Sequence, residues 1–141
     1  MNELFHIRIV SKHTKIDTLF DLDSQVNLIS ESLVKNMGLE IKPHPKPYPL
    51  GWVCDKEKLN VTKQCRVIFS IASKLIDEVD LDIVSLDICG MLLGNPYLYD
   101  RKVVFFSHEK KYHLNKGGVE YIVRGVEYIV RAHNMRKHNT C

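Results

Sequence analysis

Asp21 stands where an apolar run breaks, in Leu19-Phe20-Asp21-Leu22-Asp23-Ser24-Gln25-Val26-Asn27-Leu28-Ile29-Ser30. An apolar strand delivers the carboxylate into a small polar turn, and a second apolar strand leads away from it. One carboxyl fixed at a tight turn on a rigid sheet is half of an acid–base pair. The other half must come close enough to share a proton, because two like charges about 3 Å apart do not both ionise. In such a pair one carboxylate activates water and the other protonates the carbonyl of the bond under attack. The sequence holds one loop of this kind in 141 residues. A complete pair therefore takes two chains related by a two-fold axis.

The elements that would position Asp21 are mostly strands. Residues 4–10 are rich in β-branched side chains, residues 11–15 form a polar turn, and residues 16–20 return as the hairpin partner. Residues 26–29 form a short strand after the loop. Ser30 then caps a helix that puts Leu33, Val34 and Met37 on one face and ends at Gly38. Pro43, Pro45, Pro47 and Pro49 leave every second residue without an amide, which predicts an exposed, polyproline-like connector. Residues 48–53 and 59–62 flank the charged turn Asp55-Lys56-Glu57-Lys58, predicting a hairpin that projects into solvent. Residues 65–71 and 79–84 read as strands joined by 72–78. The glycine-broken apolar run Cys89-Gly90-Met91-Leu92-Leu93-Gly94 precedes a short helix at 96–100 and a last hairpin from 102–106 and 111–114. Gly118-Val119-Glu120-Tyr121-Ile122-Val123-Arg124 is repeated at 125–131, too short and too few for a solenoid and consistent with a duplicated strand.

Composition narrows the function classes. Hydrophobic residues make up 45% and charged residues 26%, a balance that builds one packed domain. The net charge of +3 is scattered, and its one cluster, Arg131, His133, Arg136, Lys137 and His138, reads as a solvated tail, which argues against nucleic-acid binding. No apolar run approaches the roughly 20 residues of a membrane span, and the first residues lack a secretory pattern, so the expected location is intracellular and cytoplasmic. Cys54, Cys65, Cys89 and Cys141 contain no C-x-x-C pair and read as reduced thiols. The seven histidines have no paired metal spacing, and the glycines form no phosphate-cradling loop; neither a metal nor a cofactor is expected.

From about residue 3 to residue 124 the chain resembles the retropepsin-like aspartic protease domain of gypsy-class long-terminal-repeat retrotransposon polyproteins, plant type. Phe20-Asp21, Ser24 to Ser30, and Met91-Leu92-Leu93-Gly94 followed by Tyr97-Leu98 carry the resemblance, as does the proline-rich segment through Gly51-Trp52-Val53-Cys54. The resemblance implies a mainly β fold, a closed barrel or sandwich monomer with one or two short helices, over residues 1–124. Residues 125–141 would be the duplicated strand and basic tail. It implies Asp21 as the catalytic aspartate, Leu22, Asp23 and Ser24 as the active-site loop, and Leu92, Leu93 and Gly94 as the cradle beneath it. Trp52, Asp55, Lys56, Glu57 and Lys58 would form the flap over a polypeptide substrate held by a C2 homodimer, in a retrotransposon particle.

Asp23 is the rival for the catalytic position, since Ser24 follows it. Counting from Asp23, however, puts Ser30 and Glu31 where the apolar pair Leu28-Ile29 belongs, which would turn polar groups into the core. Two residues depart from the family pattern. Leu22 replaces a serine or threonine, removing a hydroxyl that hydrogen-bonds beneath the pair. Asp23 replaces a glycine, adding bulk and bringing two more carboxylates near the shared proton. These changes predict weak or absent proteolysis in a retained fold. The alternative is a non-catalytic dimerising or peptide-binding module of that fold.

Overall fold

The structure is a computed structural model that describes residues 6–50 and 59–125. Strands β1 (His6–Ser11) and β2 (Thr14–Phe20) form a hairpin, followed by the Asp21 loop, β3 (Leu28–Ser30) and helix α1 (Glu31–Met37). Next come β4 (Lys42–Leu50), the long hairpin β5 (Leu59–Ile71) and β6 (Leu75–Val84), and β7 (Met91–Leu93). Helix α2 (Asn95–Asp100), β8 (Val104–Phe106), β9 (Lys111–Lys116) and β10 (Val119–Arg124) complete the described elements.

Alternation drives closure. On β1 and β5, Ile7, Ile9, Val67, Phe69 and Ile71 point one way and are almost fully buried, while Arg8, Arg66 and Ile68 point outward. The strands run in the order β1-β2-β7-β3-β6-β5, and β1 also pairs with β5 through Ile9 and Ile71, so six strands close on themselves. Closure removes the open edges that an exposed sheet would present. The β8-β9-β10 sheet covers the main core, contributing Tyr112, Leu114 and Val123. A smaller apolar cluster on the opposite face joins Leu19, Leu28, Val61, Val84, Cys89 and Leu92, with Tyr48 and Leu50 packed on it.

Helix α1 follows its sequence signals closely. The Leu33 amide donates to Ser30 Oγ, and Gly38 closes the helix at φ 63°, in the left-handed region. Val34 is buried, and Leu33 and Met37 pack against the core. Two expectations need correction. Residues 75–78, read as part of a linker, belong to β6, because the β5–β6 turn is only Ala72, Ser73 and Lys74, the first two at positive φ. The proline-rich segment is an edge strand: β4 pairs with β5 at Lys42–Gln64 and Pro43–Lys63, slips, and resumes at Tyr48–Val61. Prolines are tolerated there because the outer edge of β4 has no ladder to complete.

Cys65 and Cys89 are buried free thiols. Burial, reinforced by Asp80, pushes Cys65 up to about 11; burial, reinforced by Asp17, pushes Cys89 up to about 12, so both remain protonated at neutral pH. Cys54, Cys141, the second copy of the repeat from residue 126 onward and the basic tail lie outside the described residues. Among the described residues no helix is long and apolar enough to cross a membrane.

Candidate active site

Strands β2 and β7 run parallel and in register, Thr18 with Met91, Leu19 with Leu92 and Phe20 with Leu93. Both end at the same level. The residues that follow, Asp21 and Gly94, therefore leave the sheet side by side, and the Asp21 amide donates to the Leu93 carbonyl at 3.0 Å. From Asp21 the chain turns at once: the Ser24 amide donates to the Asp21 carbonyl at 3.2 Å, and the Asp23 amide donates to Asp21 Oδ1 at 3.0 Å. Aspartate favours this turn because its carboxylate can accept from the amide two residues on.

The second half of the loop folds onto Gly94. Ser24 Oγ donates to the Val26 carbonyl at 2.8 Å, the Asn95 amide donates to the Ser24 carbonyl at 2.8 Å, and the Gly94 amide donates to Asn27 Oδ1 at 2.8 Å. A Cβ at position 94 would meet the Val26 carbonyl oxygen at 2.3 Å and that of Ser24 at 2.7 Å, both backbone atoms. Glycine is required there by close approach. Gly94→Ala is expected to destabilise the fold by about 1–3 kcal/mol, the usual cost of overpacking, seen as a lower urea midpoint. Amide exchange at residues 21–27 should accelerate ahead of the barrel.

The structure thus brings together Asp21, Leu22, Asp23 and Ser24 with Leu93 and Gly94, and buries Leu92 in the smaller cluster beneath. Leu28 and Ile29 are both buried, as the count from Asp21 requires. Asp21 is half-buried at the surface, and Asp23 is exposed. Among the described residues none of the positive-φ positions falls between 21 and 27, so Asp23 has its backbone outside the left-handed region that favours glycine. What it adds is charge and bulk. Leu22 is 49% exposed and lines an open cavity of about 480 Å³ with Leu98, Tyr99 and Val103 and the polar Asn95, Asp100 and Lys102. Tyr99 is 77% exposed beside it, so two exposed apolar side chains adjoin the loop among polar neighbours.

The expected flap residues Trp52, Asp55, Lys56, Glu57 and Lys58 lie outside the described residues. The strands leading to them are described, and they pair antiparallel at Tyr48–Val61, Pro49–Asn60 and Leu50–Leu59, the arms of a hairpin. Among the described residues no group of three or more His, Cys, Asp or Glu side chains is placed to hold a metal ion.

Sequence reasoning passed over Asn27 and Asp82. Asn27 is the hinge of the site: its side chain holds Gly94, and its carbonyl accepts the Asp82 amide at 2.9 Å. Asp82 lies beside Leu28 on β6, and Tyr48 Oη donates to Asp82 Oδ2 in a short hydrogen bond. Burial and that carboxylate push the Tyr48 hydroxyl above its ordinary range, so it stays protonated and donates. An acidic residue inside the apolar run Leu81-Asp82-Ile83-Val84 was the available signal.

No protein-family model matches the chain, and no curated protein matches it. Among solved structures it is similar to the retroviral protease-like domain of Ddi1 from Leishmania major, with 6% identity over 90% of this chain and 97% of that one, at a TM-score of 0.67. At that identity the likeness speaks for architecture: the chain has the retropepsin-like fold, mainly β, with two short helices among the described residues.

Proposed function

We propose that two copies of this chain form an aspartic endopeptidase of the retropepsin type, each supplying Asp21 to one shared-proton pair. The reading rests on one observation above others: Asp21 and Gly94 emerge together from parallel strands, with the loop 24–27 folded onto a glycine that admits no side chain. That arrangement holds a carboxylate rigidly at the surface, where a symmetry mate can meet it. The exposed Leu22 and Tyr99 beside the loop supply apolar surface for such a mate.

In the assembled pair, the ionised Asp21 takes a proton from water as the water oxygen attacks the peptide carbonyl carbon. The protonated Asp21 of the other copy gives its proton to the carbonyl oxygen. Collapse of the tetrahedral species breaks the C–N bond and sends a proton to the leaving nitrogen. Strands β4 and β5 carry the segment 51–58, which we assign as the cover over the bound peptide. The substrate is then a polypeptide, and the setting that the motifs support is polyprotein processing by a retrotransposon inside the cell.

Leu22 and Asp23 set the expected level of activity low. They also favour a second reading, a dimerising or peptide-binding module that retains the fold and groove without cleavage. A peptide library at acidic and neutral pH, with and without a statine-type inhibitor, separates the two when the Leu22→Ser, Asp23→Gly chain is run beside the parent. Inhibitor-sensitive cleavage by the double variant supports an impaired protease. Absence of cleavage from both chains supports the module.

A further inference from the structure

Strand β4 is an incomplete partner for β5. Its register advances five residues, from Pro43 to Tyr48, while β5 advances two, from Lys63 to Val61. Pro45 and Pro47 fall within that gap and have no amide to donate. The arm of the hairpin nevertheless keeps its place, and side chains on either side of the gap converge on one carboxylate. Tyr48 Oη donates to Asp82 Oδ2, Gln64 Nε2 donates to Asp82 Oδ1 at 3.1 Å, and His44 Nε2 lies 3.2 Å from Oδ1. The side chains of Asp82 and His44 are 9% and 11% exposed.

The proton on His44 can be placed. Its Nδ1 accepts from the Lys46 amide at 2.9 Å, so the neutral ring carries its hydrogen on Nε2, aimed at Asp82. Three donors from β4 and β5 thus meet an acceptor on β6. The backbone of the same residue donates to the carbonyl of Asn27, whose side chain holds Gly94. One residue is tied to both the hairpin arm and the loop that carries Asp21.

We propose that Asp82 is a positioning residue for the proposed protease: it clamps the β4 arm across the proline gap and fixes that arm's position relative to the Asp21 loop. The inference rests on the reading of the site as a protease for its catalytic consequence, but the clamp itself is measurable without cleavage.

The test uses the full chain with Leu22→Ser and Asp23→Gly, alone and with Asp82→Ala, Asp82→Asn or Tyr48→Phe. Amide hydrogen exchange reads the clamp, and KM and kcat for a cleaved peptide read its consequence. Asp82→Ala should speed exchange at residues 44, 46, 48 and 50 at least tenfold while leaving Ile7 and Ile9 of β1 protected, and should raise KM more than it lowers kcat. Asp82→Asn should retain most of the protection, since its carbonyl oxygen still accepts from His44 and Gln64 and the Tyr48 hydroxyl can rotate to accept from the amide. Tyr48→Phe, which keeps the ring, should give a smaller acceleration confined to β4, and it carries the test if Asp82→Ala does not fold. Unchanged exchange in β4, or an equal acceleration throughout the barrel, would overturn the proposal. Failure of the protease reading shows separately, as absence of cleavage by the chain with Asp82 intact.

Discussion

The Leu22→Ser, Asp23→Gly chain is expected to cleave peptides at least about a hundredfold faster than the parent, with the gain abolished by a statine-type inhibitor. Most of the effect should come from position 23. In a two-fold pair each Asp23 adds a carboxylate near the Asp21 groups, and like charges a few ångströms apart cost on the order of 4 kcal/mol at an effective dielectric constant near 20. Because Asp23 sits outside the positive-φ region, glycine there removes charge without relieving backbone strain, and the Asp23 amide that holds Asp21 Oδ1 is kept. Serine at 22 restores a hydroxyl worth about 1 kcal/mol if it is bonded in the pair. A hundredfold rate gain needs about 2.7 kcal/mol, less than these two contributions together. Rates for the two single variants, measured with the same peptide, apportion the gain; an equal or larger gain from Leu22→Ser alone would contradict this account.

The largest loss of stability is expected far from that loop. The Asp77 side chain is 2% exposed on β6 and is held by Arg101 through Nε at 2.6 Å and Nη2 at 2.9 Å, and by Tyr97 Oη at 2.8 Å. The Glu78 amide also donates to it at 2.9 Å, and Lys116 Nζ lies 3.4 Å away. Burial alone would raise its pKa, but the Arg101, Tyr97 and Glu78 hydrogen bonds outweigh burial and hold it at about 2. This network fastens the helix after Gly94 to the barrel. Arg101→Ala leaves a buried carboxylate without its main partner and should cost about 3–5 kcal/mol, a urea midpoint lower by roughly 2 M.

The pH dependence follows from the sign of the shift. A carboxylate depressed in the folded state contributes stability in full above its unfolded pKa, near 4, and loses it as pH falls toward about 2. The difference between parent and Arg101→Ala should therefore narrow between pH 4 and pH 2, as Asp77 protonates in both. A constant difference over that window would mean that Arg101 acts through packing alone.

Much of this architecture was legible because local rules and global packing agree. Leu28-Ile29 after the Asp21 loop, Ser30 as a cap and Gly38 as a stop all have short-range signatures, and each occupies the expected place. The β5–β6 turn was drawn too long because Ala72 and Ser73 of the three-residue turn 72–74 adopt positive φ without the glycine or asparagine that normally announces a tight hairpin. With the turn misplaced, Asp77 fell in a linker and its pairing with Arg101, 24 residues later, was invisible. Proline spacing in β4 spoke of local conformation, whereas its pairing depends on β5, and the clamp at Asp82 on three strands meeting. Long-range polar contacts leave no periodic trace in a sequence. The loop around Asp21 could be recognised, but what holds it, Asn27 above all, had to be seen in place.

The claim that two chains build one site is tested most directly by mixing. Intact Leu22→Ser, Asp23→Gly chains are combined in varying proportion with the same chain carrying Asp21→Asn, at constant total concentration, and the cleavage rate is followed. If each site needs Asp21 from both partners, activity falls as the square of the intact fraction, to about a quarter at equal mixing. A linear fall, to about half, would mean that a single chain cleaves alone and would contradict the account.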